Sequence, residues 1–100
     1  TLTKYEIQAY HIKDVGVEVI NPPKGYLEKF NLDHGVVINK ALSPRMQRYD
    51  LKGIVITEVD NKKVNSVLEV KNIIDSKSEN EAIIISLVYR DGTKREFIFN

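Results

Sequence analysis

Hydrophobic and polar positions alternate along this chain in short runs that predict several strands. Apolar or alternating runs of four to eight residues, bounded by Gly, Pro, Asn or Asp, are typical of strands. Runs of this kind lie at 17–20, 36–38, 54–59, 82–89 and 94–99. A weaker alternation of Tyr5, Ile7 and Ala9 with polar neighbours allows one further edge strand inside the lead-in segment 1–13.

The clearest helix is predicted to begin at Ser66. Ser66 and Glu69 form an S-x-x-E capping box, in which the serine accepts a hydrogen bond from a free backbone amide of the first turn. Apolar residues then recur every three or four positions, which places them on one stripe of a helix that ends near 76–78. Shorter helices are predicted over 26–32 and from Ser43, where Pro44 takes the first helical position.

Two turn signals complete the pattern. Asp91-Gly92 predicts a tight hairpin between the last two strands, and Asp60 or Asn61 tolerates the positive φ that the turn after 54–59 needs. The elements mix strands and helices with no internal repeat. The sequence therefore predicts one α+β domain.

Composition and charge exclude several classes of function. The 100 residues hold 15 basic and 14 acidic side chains, with no basic face for nucleic acid. No apolar run is long enough for membrane insertion. The chain has no cysteine, which excludes disulfides, thiolate zinc sites and a cysteine nucleophile.

No catalytic or cofactor motif is present in the sequence. Ser43 and Ser66 are explained as helix caps, and no serine lies in a G-x-S-x-G segment. His11 and His34 lack metal-ligand spacing, and the glycines form no phosphate-binding loop. We therefore predict a non-catalytic domain that needs no metal and no cofactor.

Three segments taken in order resemble a known family. They are 15–38, with Val15-Gly16-Val17 and the later Gly35-Val36-Val37; 41–56, with Ser43-Pro44; and 59–70, with the Ser66 helix. Together they resemble the PDZ domains of HtrA (Do-like) serine proteases, and the ending after the last strand is similar to the C-terminal, second PDZ domain. The chain departs from that pattern at Leu42, Ile54 and Lys62. The resemblance implies a partly open β-barrel or sandwich of five to six strands over residues 14–100, capped by one long helix and one or two short ones.

The resemblance also implies a peptide-binding groove. PDZ domains add a peptide C-terminus as a strand and hold its carboxylate with backbone amides of a glycine-containing loop. Here the loop is 14–17, the strand edge is 17–20 and the facing wall is the exposed stripe of the Ser66 helix. The implied peptide-binding residues are Val15, Gly16, Val17, Glu18, Val19, Ile20, Val67, Lys71 and Ile74.

The residues alone leave alternatives open for this groove. Val17, Val19, Val67 and Ile74 either line an apolar pocket for the last peptide side chain or belong to the core. Lys71 is either solvated or favours an acidic residue further back in the peptide. Val70 and Ile73 are predicted core residues.

The resemblance implies a function and a context. We expect a peptide-binding module of an HtrA-like serine protease in the periplasm or cell envelope, active in protein quality control; tail-specific and intramembrane proteases also carry such domains. Its partners would be peptide C-termini or unfolded protein segments, and other subunits of the parent protease. The alternative is a structural domain for oligomer assembly, with its groove unoccupied or occluded by 1–13. Exposed Val67 and Ile74 would favour binding, whereas a groove filled by the chain's own segment would favour assembly.

Overall fold

The computed structural model describes residues 9–78 and 81–99, which form one antiparallel sheet with helices packed on it. The strands are β1 (Ala9–Ile12), β2 (Val17–Ile20), β3 (Val36–Ala41), β4 (Val55–Val59), β5 (Lys62–Lys63), β6 (Ile83–Val88) and β7 (Lys94–Phe99). The helices are α1 (Pro44–Gln47), α2 (Val67–Asp75) and a 3₁₀ turn (Leu27–Phe30). The predicted α+β class is confirmed.

The strand order places β1 at one edge of the sheet and β7 at the other. The order is β1-β2-β3-β4-β6-β7, and the short β5 pairs with β4. Every pairing is antiparallel. Within residues 9–78 and 81–99 the sheet has seven strands, against the five to six expected, because β5 and β1 both join it. The domain boundary expected at residue 14 stays a prediction.

The core forms where α1 and α2 cover one face of this sheet. Side chains at alternate strand positions are buried there, as the period of two requires. Val67 and Val70 of α2 and Met46 of α1 close the same cluster. Its strand members are Ile12, Val17, Val19, Val36, Ile38, Ile56, Val59, Ile83, Ile85, Leu87, Phe97 and Phe99.

Most of the predicted local signals are confirmed. Ser43 caps α1, because its Oγ accepts a hydrogen bond from the Met46 amide at 3.3 Å. Ser66 caps α2 through the Glu69 amide, also at 3.3 Å. The Glu69 carboxylate accepts from the Asn65 amide at 2.6 Å, one residue before the position that a capping box uses.

The turn after β4 has the backbone that the sequence predicts. Asp60 and Asn61 both have positive φ, at 55° and 65°. The Asp60 carboxylate accepts a hydrogen bond from the Ile84 amide and pairs with Lys77. One aspartate therefore ties this turn to β6 and to the segment after α2.

The helices in residues 9–78 and 81–99 are all too short or too polar to cross a bilayer.

Candidate functional site: the groove between β2 and α2

The candidate groove is bounded by β2 on one side and α2 on the other. Asn21, directly after β2, accepts a hydrogen bond from the Val67 amide at 2.8 Å through its side-chain oxygen. This amide belongs to the first turn of α2, where backbone donors lack helical partners. The bond ties the end of β2 to the start of α2 and sets their separation there.

The chain's own first strand lies in this groove. β1 pairs antiparallel with β2, with Ala9 opposite Ile20 and Ile12 opposite Val17. On its other side β2 pairs with β3, so both of its edges are used within the described residues. Residues 9–12 therefore occupy the edge at Val17, Glu18, Val19 and Ile20 and also contact α2, which is the occlusion by segment 1–13 that the sequence left open as an alternative.

The loop predicted to hold a carboxylate holds a carbonyl of the same chain instead. The amides of Val15 and Gly16 donate to the Ile12 carbonyl oxygen at 3.1 and 2.7 Å. Two convergent amides make the kind of anion-binding concavity that the resemblance implies. Here both amides are used by the turn that joins β1 to β2, three and four residues after Ile12.

Gly16 is required by the geometry of this loop. Its φ is +86°, and a Cβ there would meet the Ser43 side chain, with the Ser43 Cβ only 2.5 Å away. Its carbonyl accepts from the amides of Leu42 and Ser43 at 2.7 and 3.1 Å. These hydrogen bonds hold the loop against the start of α1.

Side chains of β1 alternate between the groove and solvent. Ile12 is fully buried and Tyr10 is partly buried against the core, whereas Ala9 and His11 are exposed. The sequence predicted the opposite alternation, with Ala9 on the apolar side of the strand and Tyr10 on the polar side. Tyr5 and Ile7, the other apolar positions of the predicted strand, lie outside the described residues.

The predicted site residues separate into buried and rim positions. Val15, Gly16, Val17, Val19 and Val67 are all buried, and the four valines belong to the core cluster, which is the core alternative that the sequence left open for Val17, Val19 and Val67. Ile74 and Ile20 are partly buried.

The charged site residues lie on opposite sides of β2. Glu18 accepts a hydrogen bond from the Asn39 side chain of β3 at 2.8 Å, so it is turned toward β3. Lys71 pairs with Asp75 along α2, with Nζ and Oδ2 2.6 Å apart.

Burial and neighbouring charges act on the groove's titratable groups. Burial raises the pKa of the Tyr10 phenol, Asp75 raises it further and Lys71 opposes the change. The hydrogen bond to Asp75 raises the pKa of Lys71, and the Asp75 charge adds to it.

Sequence reasoning missed Tyr10, Ile12 and Asn21. The alternation of Tyr10 and Ile12 against Ala9, His11 and Lys13 was the available signal for the first two. Asn21 offered none, because the bond to Val67 spans 46 positions. No group of three or more His, Cys, Asp or Glu in the described part of the chain is arranged to hold a metal ion.

Comparison with known proteins shows the fold. No protein-family model matches the sequence, and no curated protein matches it. Among solved structures, it is similar to the HtrA3 PDZ domain bound to a phage-derived ligand, FGRWV, with a TM-score of 0.61 and 11% sequence identity. The match covers 92% of this chain and 81% of that chain. The fold is that of a PDZ domain. In this PDZ fold the strand, the glycine-containing loop and the long helix of the expected groove are all present, and β1 lies between them.

Proposed function

We propose that this PDZ-fold domain is a non-catalytic module that binds peptide segments by adding them as a strand to β2. The observation that supports this is β1 itself. It is an extended segment, antiparallel to β2, with a buried aliphatic side chain at its end and its last carbonyl on the amides of Val15 and Gly16. A peptide C-terminus has the same shape and offers a stronger acceptor.

An external peptide must displace β1. The loop 13–16 keeps β1 beside β2 at an effective concentration on the order of millimolar or more. A peptide gains an advantage from its carboxylate, because hydrogen bonds to a charged oxygen are about twice as strong as those to a neutral carbonyl. We therefore expect weak binding to the intact chain and tighter binding once β1 is loosened.

The test uses FGRWV, the ligand of the similar structure, as a probe. Ile12→Ser removes the buried anchor of β1, and His11→Ser changes its exposed neighbour as a matched control. We expect the free acid to bind Ile12→Ser about tenfold tighter than the intact chain or His11→Ser, and the C-terminal amide to bind about tenfold more weakly than the acid. Equal binding of acid and amide would exclude carboxylate capture.

A second candidate function is assembly of a larger oligomer. The observation that favours it is the closed groove. Because β1 already pairs with β2 at the peptide site, contacts with other subunits would be made by the outer surfaces of the fold. The test is the size of the full-length parent with this domain deleted. A smaller oligomer supports assembly, and an unchanged oligomer excludes it.

We further propose that the parent is an HtrA-like serine endopeptidase of the periplasm or cell envelope, with this domain as its C-terminal PDZ domain. The resemblance in three ordered segments and the PDZ fold support this proposal. The coding sequence upstream tests it. A Gly-Asn-Ser-Gly-Gly segment a domain or two earlier supports a serine protease, and a tail-specific or intramembrane protease sequence there contradicts it. The isolated domain should leave casein uncut.

A further inference from the structure

A second cleft opens where the 3₁₀ turn meets the hairpin after β6. Its lining side chains are Tyr26, Lys29, Phe30 and Arg90, around a volume of about 350 Å³. None of these residues belongs to β1, β2 or α2. The cleft is therefore a surface separate from the proposed peptide site.

The backbone of Lys52 and Gly53 holds two of these side chains next to each other. The Arg90 guanidinium donates to the Lys52 carbonyl oxygen through Nη2 at 2.6 Å, and the Tyr26 hydroxyl donates to the Gly53 carbonyl oxygen at 2.5 Å. Gly53 has φ +87°, and a Cβ there would lie 3.0 Å from both Arg90 Nη2 and Tyr26 Oη. The arginine is therefore oriented before any ligand binds.

The two cations of the cleft have no acidic partner within residues 9–78 and 81–99. Lys29 and Arg90 are exposed and form no salt bridge there. Their sequence neighbours Glu28 and Asp91 do not line the cleft, and the Asp91 carboxylate accepts from the Thr93 amide at 2.9 Å. Hydrogen bonds within the described chain use one of the five guanidinium donors of Arg90. The cleft therefore offers two positive charges to an anion.

Two aromatic rings form the apolar part of the cleft. The ring centroids of Tyr26 and Phe30 are 5.4 Å apart with planes tilted by 38°, and both residues are partly buried. The Lys29 ammonium lies 5.8 Å from the centre of the Tyr26 ring, within cation–π range. Cations beside aromatic surface match a carboxylate that has an apolar group next to it.

Size and charge favour a peptide over other anionic partners. The volume fits one or two side chains of an extended segment and is too small for a helix, whose diameter is about 10 Å. Anionic membranes and nucleic acids are bound by larger basic surfaces, with about four to eight Lys or Arg for lipid headgroups. Here two cations line the cleft, in a chain whose net charge is +1.

We propose that Tyr26, Lys29, Phe30 and Arg90 form a docking cleft for an acidic segment of a partner protein. A carboxylate of the segment binds Arg90 and Lys29, and a neighbouring apolar side chain packs on the two rings. The segment needs no free C-terminus, so it differs in kind from the ligand proposed for β2. The two sites share no residue, and this inference does not depend on strand addition.

The test is an NMR titration of the full chain with the capped peptide acetyl-Gly-Glu-Phe-Glu-Gly-amide, which has no terminal carboxylate. We expect the amides of residues 26–30, 52–53 and 90 to shift, while those of β2 stay in place. The peptide with Gln for both Glu should bind about tenfold more weakly, and the peptide with Ser for Phe about threefold more weakly. Added salt should weaken binding of the Glu peptide, because exposed charges are screened.

Variants that each lose one positive charge assign the binding to the two cations. Lys29→Gln and Arg90→Gln should each weaken binding of the Glu peptide about fivefold. Lys62→Gln is the matched control, because it removes the same charge from an exposed lysine of β5, at the other end of β4. Equal binding of the Glu and Gln peptides overturns the cleft, and so do equal affinities of the Arg90→Gln and Lys62→Gln variants.

Two further probes separate an acidic peptide from other sources of negative charge. Inorganic phosphate, and vesicles of equal parts phosphatidylcholine and phosphatidylserine, are each titrated against the intact chain and Arg90→Gln. We expect both to bind more weakly than the Glu peptide. Phosphate or vesicle binding that is tighter than peptide binding and is lost in Arg90→Gln would overturn the assignment to a peptide. FGRWV binding to Ile12→Ser reports on the groove alone, so failure of one proposal is distinguishable from failure of the other.

Discussion

Single residues decide the shape of the loop before β2. Gly16 combines a positive φ with a close approach to Ser43, and its carbonyl and amide both take part in the loop's hydrogen bonds. The glycine was visible in the sequence, and so was Ser43 as a cap. Their contact was not, because it joins positions that are far apart in the chain.

Gly16→Ala should be among the most destabilising single substitutions. The new Cβ adds a clash with Ser43 to the conformational cost of positive φ, so we expect a loss of about 2 kcal/mol or more in the free energy of unfolding. Gly92→Ala is the matched control, since Gly92 has φ +88° and nothing within 4 Å of a Cβ. Urea unfolding measures both; equal losses would show that the Ser43 contact contributes nothing.

Asp60 should make the free energy of unfolding depend on pH in the acidic range. Burial disfavours its charge, but the bonds from Lys77 and the Ile84 amide outweigh burial and hold its pKa below the ordinary value. The unfolded chain, with a pKa of about 3.9, then binds the proton first as pH falls. The stabilisation is therefore present above that value and is lost as pH falls through the folded pKa.

The check is Asp60→Asn, which keeps a side chain that tolerates positive φ but removes the charge. We expect lower stability at neutral pH and a smaller decline between pH 5 and pH 2 than in the intact chain, by thermal unfolding. Asp50→Asn, at an exposed aspartate, should change neither. A decline unaltered by Asp60→Asn would show that other carboxylates cause it.

At the scale of elements, α2 was predictable and the β1–β2 hairpin was not. The capping serine, the apolar spacing and the end of α2 are local features, and each appears in the structure. The hairpin has a four-residue loop, Lys13–Gly16, without the Asn-Gly or Asp-Gly pair that marks tight turns. The sequence allowed an edge strand in 1–13 and left open whether that segment occludes the groove at 17–20, because no local signal decides the pairing; the structure pairs residues 9–12 there.

The cap at Ser66 supports one wall of the groove. Ser66→Ala leaves the Glu69 amide without its partner, and we expect a loss of about 1 kcal/mol in the free energy of unfolding. Ser66→Thr or Ser66→Asn should restore most of it, because both side chains can accept the same bond. Chemical denaturation checks this; equal losses in the Ala and Thr variants would argue against the cap.

At the scale of the whole molecule, the chain has the fold of the HtrA3 PDZ domain although the two sequences are only 11% identical. Hydrophobic alternation and turn chemistry predicted its class and most of its strands. The two sheet edges are treated differently. β7 carries exposed charges at Lys94, Arg95 and Glu96, which discourage pairing with other chains, whereas the other edge strand, β1, contacts α2.

Removing residues 1–12 should therefore change the behaviour of the molecule in solution. The deletion exposes the edge of β2 and the apolar groove, so we expect concentration-dependent self-association that the intact chain shows less strongly. Sedimentation velocity measures this. A truncated chain that sediments like the intact chain at every concentration would contradict the covering role of β1.

The most direct test of the account is an NMR titration of the intact chain with a peptide of sequence Gln-Ala-Tyr-His-Ile. The account predicts cross-strand contacts between Tyr10 and Val19 in the free chain. They should disappear as peptide is added, while the contacts of Val19 with Ile38 in β3 remain. Peptide that binds while the Tyr10–Val19 contacts persist would contradict it, as would their absence from the free chain.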